Sequence, residues 1–247
     1  MHLKDKVPLL VALLLAACSA PQSPMDSVKL DANLGELAMN AGSPEVALRL
    51  TGETLVKHPN DVDALTRRGQ ALTELGRLDE ARESLHKAQT IDPHNPTVLL
   101  ALGRVQLPVD PAAAAANFEE VLKKDITNAV VLNNLGIARD LLGHHEEAET
   151  AFRAALAAHP EMLAARVNLA LCLAIRGQAN DAIEMLRPLA TAADASRKVK
   201  EDYAAVLAMA GQRDEAERIL SASLAADQMT PALDQLASAR ATPAATP

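Results

Sequence analysis

Four adjacent residues, His144-His145-Glu146-Glu147, are the densest group of potential metal ligands or proton-transfer groups in the sequence. Their spacing argues against a joint role, because neighbours on a helix do not face one point. Two glutamates at a helix start are expected in any case, since the positive end of the helix dipole favours them. No metal site is therefore expected here. No nucleophile elbow, phosphate-binding glycine loop or His-Glu-x-x-His pattern occurs either. The reading is a non-enzyme with no catalytic residues, no cofactor and no small-molecule substrate. The two cysteines sit in different surroundings. Cys172 lies in the apolar run Val167-Asn-Leu-Ala-Leu-Cys-Leu-Ala174, where it reads as a small buried hydrophobe with no cation in its own run to activate it.

Cys18 follows a leader with Lys4 and Lys6 at its start and an apolar stretch from Val7 to Ala17. That stretch is too short for a bilayer, which needs about 20 apolar residues. Its length and the small residues at its end fit a secretory signal. Leu15-Ala16-Ala17-Cys18 resembles the lipobox of bacterial lipoproteins at all four positions. The resemblance implies a diacylglycerol thioether on Cys18, cleavage before it and acylation of the new amine, and several chains anchor stably where one does not. Residues 1–17 are then a signal peptide and 18–27 a lipidated, Pro/Ser-rich tether. In the sorting pattern of such lipoproteins Ser19, in place of Asp, implies the outer membrane, here its periplasmic face.

The elements that must position anything else are repeated. Gly35, Gly69, Gly103 and Gly136 are spaced 34, 34 and 33 residues apart. Gly42, Gly76, Gly143, Gly177 and Gly211 keep the same period, as do Ala47, Ala81, Ala114, Ala148, Ala182 and Ala216. Pro59, Pro93 and Pro160 form a fourth series, with Ile126 at the vacant place. A period of 34 resembles the tetratricopeptide repeat, a pair of antiparallel helices A and B. The repeats are approximately 28–61, 62–95, 96–128, 129–162, 163–196 and 197–230. The family's Trp and Tyr positions hold other residues. Position 8 is Gly, or Ala170 and Ala204; position 20 is always Ala; position 24 is Leu85, Phe118, Phe152, Leu186 or Leu220, with Thr51 the weak case. Small residues at 8 and 20 would let helices A and B cross closely, with position 24 filling the space beside them. The later glycine would end helix A in a left-handed turn, and the proline would end helix B. The third repeat is one residue short and has Pro108-Val109-Asp110-Pro111 instead of a glycine turn, so a distorted hairpin is expected. Each hairpin leaves an apolar face that a neighbour must cover. The expected fold is an all-α, right-handed α-α superhelix of about six hairpins over 28–230. The tail at 231–247 is expected to be disordered at its end, Ala241–Pro247.

Composition agrees. Hydrophobic residues make up 49% and aromatics 1%, so Ala and Leu supply the core, as suits helices rather than strands. A net charge of -8 with almost no stacking aromatics argues against nucleic acid as a partner.

In this repeat family positions 2, 5, 6, 9, 12 and 13 of helix A line the concave groove. They fall on Asn133, Asn134, Ile137 and Asp140 in the fourth repeat and on Val167, Asn168, Leu171 and Ile175 in the fifth. Arg67, Gln70 and Arg104 extend this surface with charge. Asn134 and Asn168 both occupy position 6, where family members often bind a peptide backbone, and they are expected to face solvent. An amide suits an extended chain because it donates and accepts, though Asn at position 6 also simply follows the repeat consensus. With Thr66, Gln70, Asn133 and Ile137 at positions 5 and 9, the groove is not the lysine-bearing clamp for a C-terminal carboxylate.

Two segments, Leu132-Asn-Asn-Leu-Gly-Ile-Ala-Arg-Asp-Leu-Leu-Gly143 and Ala165-Arg-Val-Asn-Leu-Ala-Leu-Cys-Leu-Ala-Ile-Arg-Gly177, carry a closer resemblance. With Met185-Leu-Arg-Pro-Leu-Ala190 and Leu207-Ala-Met-Ala-Gly211 they resemble the TadD lipoproteins of tight-adherence (Flp) pilus systems. The resemblance implies a scaffold that binds protein partners of the pilus secretion machine, at the outer-membrane secretin. A pilotin-like lipoprotein of another pilus or secretion system, or an envelope adaptor regulating peptidoglycan enzymes, fits the same architecture.

Overall fold

A computed structural model describes residues 37–222, 224 and 226–238. Cys18, the leader, the tether, Gly35 and the stretch 241–247 lie outside the described residues. Helices and their connections make up the described chain, with no strand among the described residues, so the all-α hairpin architecture read from the sequence is the one observed. Residues up to Asp92 form one compact unit and those from Pro93 another.

In the first unit the helical residues 37–40 precede α1 (Pro44–Lys57), α2 (Val62–Glu74) and α3 (Leu78–Ile91). The second holds α4 (Pro96–Gln106), α5 (Pro111–Leu122), α6 (Ala129–Leu141), α7 (His145–Ala158), α8 (Leu163–Ile175), α9 (Ala179–Thr191), α10 (Arg197–Met209), α11 (Arg213–Leu220) and α12 (Ala226–Ser238). Within each unit successive helices pack as hairpins.

Local chemistry sets the turns. Gly42, Gly76, Gly143, Gly177 and Gly211 all have positive φ, between 66° and 86°. At Gly76 the Arg77 N–H donates to the Leu72 carbonyl (2.8 Å) and the Gly76 N–H to that of Thr73 (3.0 Å). This 6→1 and 5→2 pair is the Schellman motif, which satisfies carbonyls that a helix end would otherwise strand. The same pair of bonds recurs at the other four glycines. The third repeat makes its turn without a left-handed residue. Val109 and Asp110 donate to the Gln106 carbonyl, and the Asp110 carboxylate caps α5 through the Ala113 N–H at 3.0 Å. Asp110 and the two prolines thus do the work of glycine there. Asp61, Asn95, Asn128 and Ser196 cap the A helices in the same way.

The core lies where the repeat positions put it. Ala47, Ala81, Ala114, Ala148, Ala182 and Ala216 have no accessible surface, and Leu85, Phe118, Phe152 and Leu186 are buried beside them. Thr51 is buried too, its hydroxyl donating to the Ala47 carbonyl at 2.8 Å. A Cβ placed on Gly103 or Gly136 would stand closer than 3.0 Å to ring atoms of Phe118 or Phe152. Gly pairs with Phe in repeats three and four and with Leu85 in repeat two, where a Cβ on Gly69 would stand equally close to the Leu side chain, while Ala170 and Ala204 pair with Leu186 and Leu220.

One boundary needs correction. The repeat region was expected to end at 230, but α12 runs across that point to Ser238. Met229 and Leu233 are buried in the cluster that also holds Tyr203, Leu207 and Leu220. The last hairpin has an apolar face, and α12 covers it.

Candidate functional site

The A helices α6, α8 and α10 lie side by side in the second unit, and each shows a face built on the same offsets. On α6 it is Val130, Asn133, Asn134, Ile137 and Leu141; on α8 Ala164, Val167, Asn168, Leu171 and Ile175; on α10 Lys198, Glu201, Asp202, Ala205 and Met209. Spacings of three, four and seven put these residues on one side of a helix. The opposite sides of α6 and α8 are already committed to the core through Val131, Ala138, Leu169, Ala170 and Leu173.

The amides of this face do not look outward as expected. Asn133 and Asn134 are only 5% and 8% exposed. Asn168 is half-buried and donates from Nδ2 to Asn133 Oδ1 at 2.9 Å. The expectation of solvent-facing amides is therefore corrected: α6 and α8 approach closely enough for Asn168 to bond Asn133, a contact that repeat position alone does not reveal, while Asn134 Nδ2 is buried without a hydrogen-bond partner. On α6 and α8 what remains accessible of this face, beside half-buried Asn168, is apolar. Val130 is 40% and Leu141 57% exposed, and Ile137, Leu171 and Ile175 are half-buried. Arg104 is exposed on α4, flanked one turn either way by Leu100 and Leu107, which pack into the cluster holding Val131 and Leu135 of α6. Arg67 and Gln70 are half-buried on α2, in the other unit.

The sequence reading passed over Asp202. It stands 34 residues after Asn168, which stands 34 after Asn134, so the repeat period itself was the signal. Asp202 is 8% exposed, and its carboxylate pairs with the Lys198 ammonium.

The His-His-Glu-Glu run does not converge on one point. His145 Nδ1 lies 2.6 Å from Asp140 Oδ1 and His144 Nδ1 3.5 Å from Glu147. Glu147 also meets Arg139 at 3.1 Å, and Glu146 meets Arg176 at 3.1 Å. Arg139 further pairs with Glu119, and Arg176 with Glu149. The run is one edge of an ion-pair network tying α5, α6, α7 and the end of α8 together. No group of three or more His, Cys, Asp or Glu that could hold a metal occurs among the described residues. Cys172 is fully buried, with its thiol 3.3 Å from the His145 carbonyl. Burial, then the neighbouring Asp140 carboxylate, pushes that thiol up to about 12.

Two open clefts, of about 340 and 320 Å³, lie elsewhere. Leu55, Leu65 and Glu83 line the first at the same repeat positions as Ala190, Lys200 and Arg218 in the second. Both are shoulders that the repeat geometry makes, and they share no set of chemical groups.

A search of curated proteins finds a match to an FK506-binding protein-like protein of Homo sapiens, 35% identical over 94 residues, or 38% of this chain. Protein FlbA of Caulobacter vibrioides is 31% identical over 159 residues, or 62% of this chain. The chain spans about a quarter of the length of these relatives, 27% of each. Among solved structures it is similar to PilW, described as a widely conserved type IV pilus biogenesis factor, with a TM-score of 0.72 and 21% identity, covering 84% of this chain and 98% of that one. It is also similar to a tetratricopeptide repeat protein from Parabacteroides merdae, with a TM-score of 0.66 and 17% identity, covering 92% and 89%. These two likenesses are in fold. A tetratricopeptide-repeat family model matches residues 33–96 and 133–197, together just over half of the chain. With its 34-residue period, its Gly–Phe and Ala–Leu helix crossings and this family match, the chain belongs to the tetratricopeptide-repeat family.

Proposed function

We propose that this repeat scaffold is a periplasmic lipoprotein of the TadD type, held at the outer membrane through Cys18, which binds protein components of a tight-adherence (Flp) pilus assembly machine. One observation carries the binding role. Helix α8 has only Arg166 and Asn168 as polar residues among its thirteen, and α6 is apolar on both sides save for its two amides, Arg139 and Asp140. A helix apolar all round is ordinarily buried on all sides, yet Val130, Leu141, Ile137, Leu171 and Ile175 keep accessible surface. Such a patch on a repeat array is a protein-docking surface.

The lipobox-like Leu15-Ala16-Ala17-Cys18 supports the anchoring, and no helix among the described residues is long and apolar enough to cross a membrane. The likeness to PilW supports a pilus role through architecture, and it equally favours the second reading, a lipoprotein of a type IV pilus system. Two experiments test the proposal. Wild-type protein should take up a palmitate analogue and fractionate with the outer membrane, while Cys18→Ser should remain an unlabelled precursor; labelling of that variant would end the lipoprotein reading. Cells carrying Leu171→Glu should lose Flp pili while retaining folded protein. Normal piliation in a strain lacking the protein would remove it from that machine, and loss of type IV pili instead would select the second reading.

A further inference from the structure

The groove-binding reading leaves open what form of partner the groove takes, and the following rests on that reading. An extended segment would bring a row of backbone N–H and C=O groups against α6 and α8. Each needs a hydrogen-bond partner once water is excluded. The groups that could serve are spent or out of reach: Asn168 donates to Asn133, Asn134 Nδ2 makes no hydrogen bond but has no accessible surface, and Asp202 is buried against Lys198. What these helices offer a partner is Val130, Ile137, Leu141, Leu171 and Ile175. A helix brings its backbone bonds already made and shows only side chains.

Charge narrows the choice further. Along these faces Asp140 is paired with His145, Asp202 with Lys198, and Glu201 with Arg197 at 2.7 Å. Arg104, beside α6, is exposed and is the charged groove residue that makes no ion pair among the described residues. We infer that the concave face of α6 and α8 receives an amphipathic α-helix of a protein partner, with apolar residues at i, i+3 or i+4 and i+7 seated on Ile137 and Leu171 and a carboxylate placed against Arg104.

The test is selection of binders to the purified full chain from a random sixteen-residue peptide display library, followed by binding titrations of the selected peptides. The expected consensus has apolar residues at helical spacing plus an Asp or Glu. Those peptides should lose more than tenfold in affinity on Leu171→Glu, which buries an unpaired charge in the contact. They should lose roughly three- to tenfold on Arg104→Glu, regained when the peptide acid is changed to Lys. Circular dichroism on each variant establishes that it is folded. A consensus with alternating apolar residues that is still lost on Leu171→Glu would overturn the helical partner and leave the groove reading standing. Selected peptides indifferent to Leu171→Glu and Ile137→Glu would overturn the groove reading itself.

Discussion

Replacing glycine by alanine at three places should give three different results, each fixed by a separate feature of the fold. Gly136 lies inside α6, where Ala is favoured over Gly by about 1 kcal/mol. Its new Cβ would stand under 3.0 Å from Cδ1, Cε1 and Cζ of Phe152, a side chain 1% exposed with no space to retreat into. Overpacking of that kind costs about 1–3 kcal/mol. Because three ring atoms are hit at once, the upper part of that range applies, and a net destabilisation of about 1–2 kcal/mol remains. Gly52 lies inside α1, has no positive φ, and its Cβ would meet nothing within 4 Å. The same substitution there should stabilise by up to about 1 kcal/mol. Gly143 has open space but a φ of 78°, so Ala should destabilise by about 1–2 kcal/mol through backbone strain alone. Urea titrations followed by circular dichroism at 222 nm read all three. Phe152→Leu should rescue Gly136→Ala, giving a coupling of about 1 kcal/mol or more and recreating the Ala–Leu pair found in repeats five and six. A Gly136→Ala protein at least as stable as the wild type would refute the packing argument.

Ala148→Leu should destabilise by about 1–3 kcal/mol, because Ala148 has no accessible surface at the α6–α7 crossing; an unchanged urea midpoint would contradict that register. Asn168→Ala should cost about 1–2 kcal/mol, since it leaves Asn133 Oδ1 buried without its donor, and a thermal melt with the double variant Asn133→Ala/Asn168→Ala should show the two losses to be non-additive. Cys172 should resist maleimide at pH 8 in the native state and react quickly in urea. Its pKa is raised on folding to about 12, so it favours the fold below about pH 8.5 and loses that contribution as pH rises towards 12; a melting temperature that falls less steeply above pH 9 in Cys172→Ala than in the wild type would show this.

Much of the fold is written in sequence because its determinants are local or periodic. A glycine at the end of helix A needs only its own left-handed φ, and all five described glycines of that series adopt it. The alanines at position 20 are buried because a hairpin is a short-range structure, and a 34-residue period repeats its crossing faithfully. The position-24 residues could be named as fillers for the same reason. Contacts between repeats were not legible in this way. The sequence placed Asn134 and Asn168 at equivalent positions but carried no information on the separation of α6 and α8. That separation, set by how two hairpins stack, turns Asn168 towards Asn133 and leaves the apolar side chains as the accessible part of the face. Asp202 completes the series by spacing, yet its burial and its pairing with Lys198 depend on where α10 settles. The end of the array was likewise a tertiary matter. Residues 231–238 lie beyond the six repeats read in the sequence, and 226–238 form a helix against α10 because the last hairpin exposes an apolar face that Met229 and Leu233 can cover. Local conformational preference decided the turns and helices, and burial of the faces those helices left bare decided everything between them.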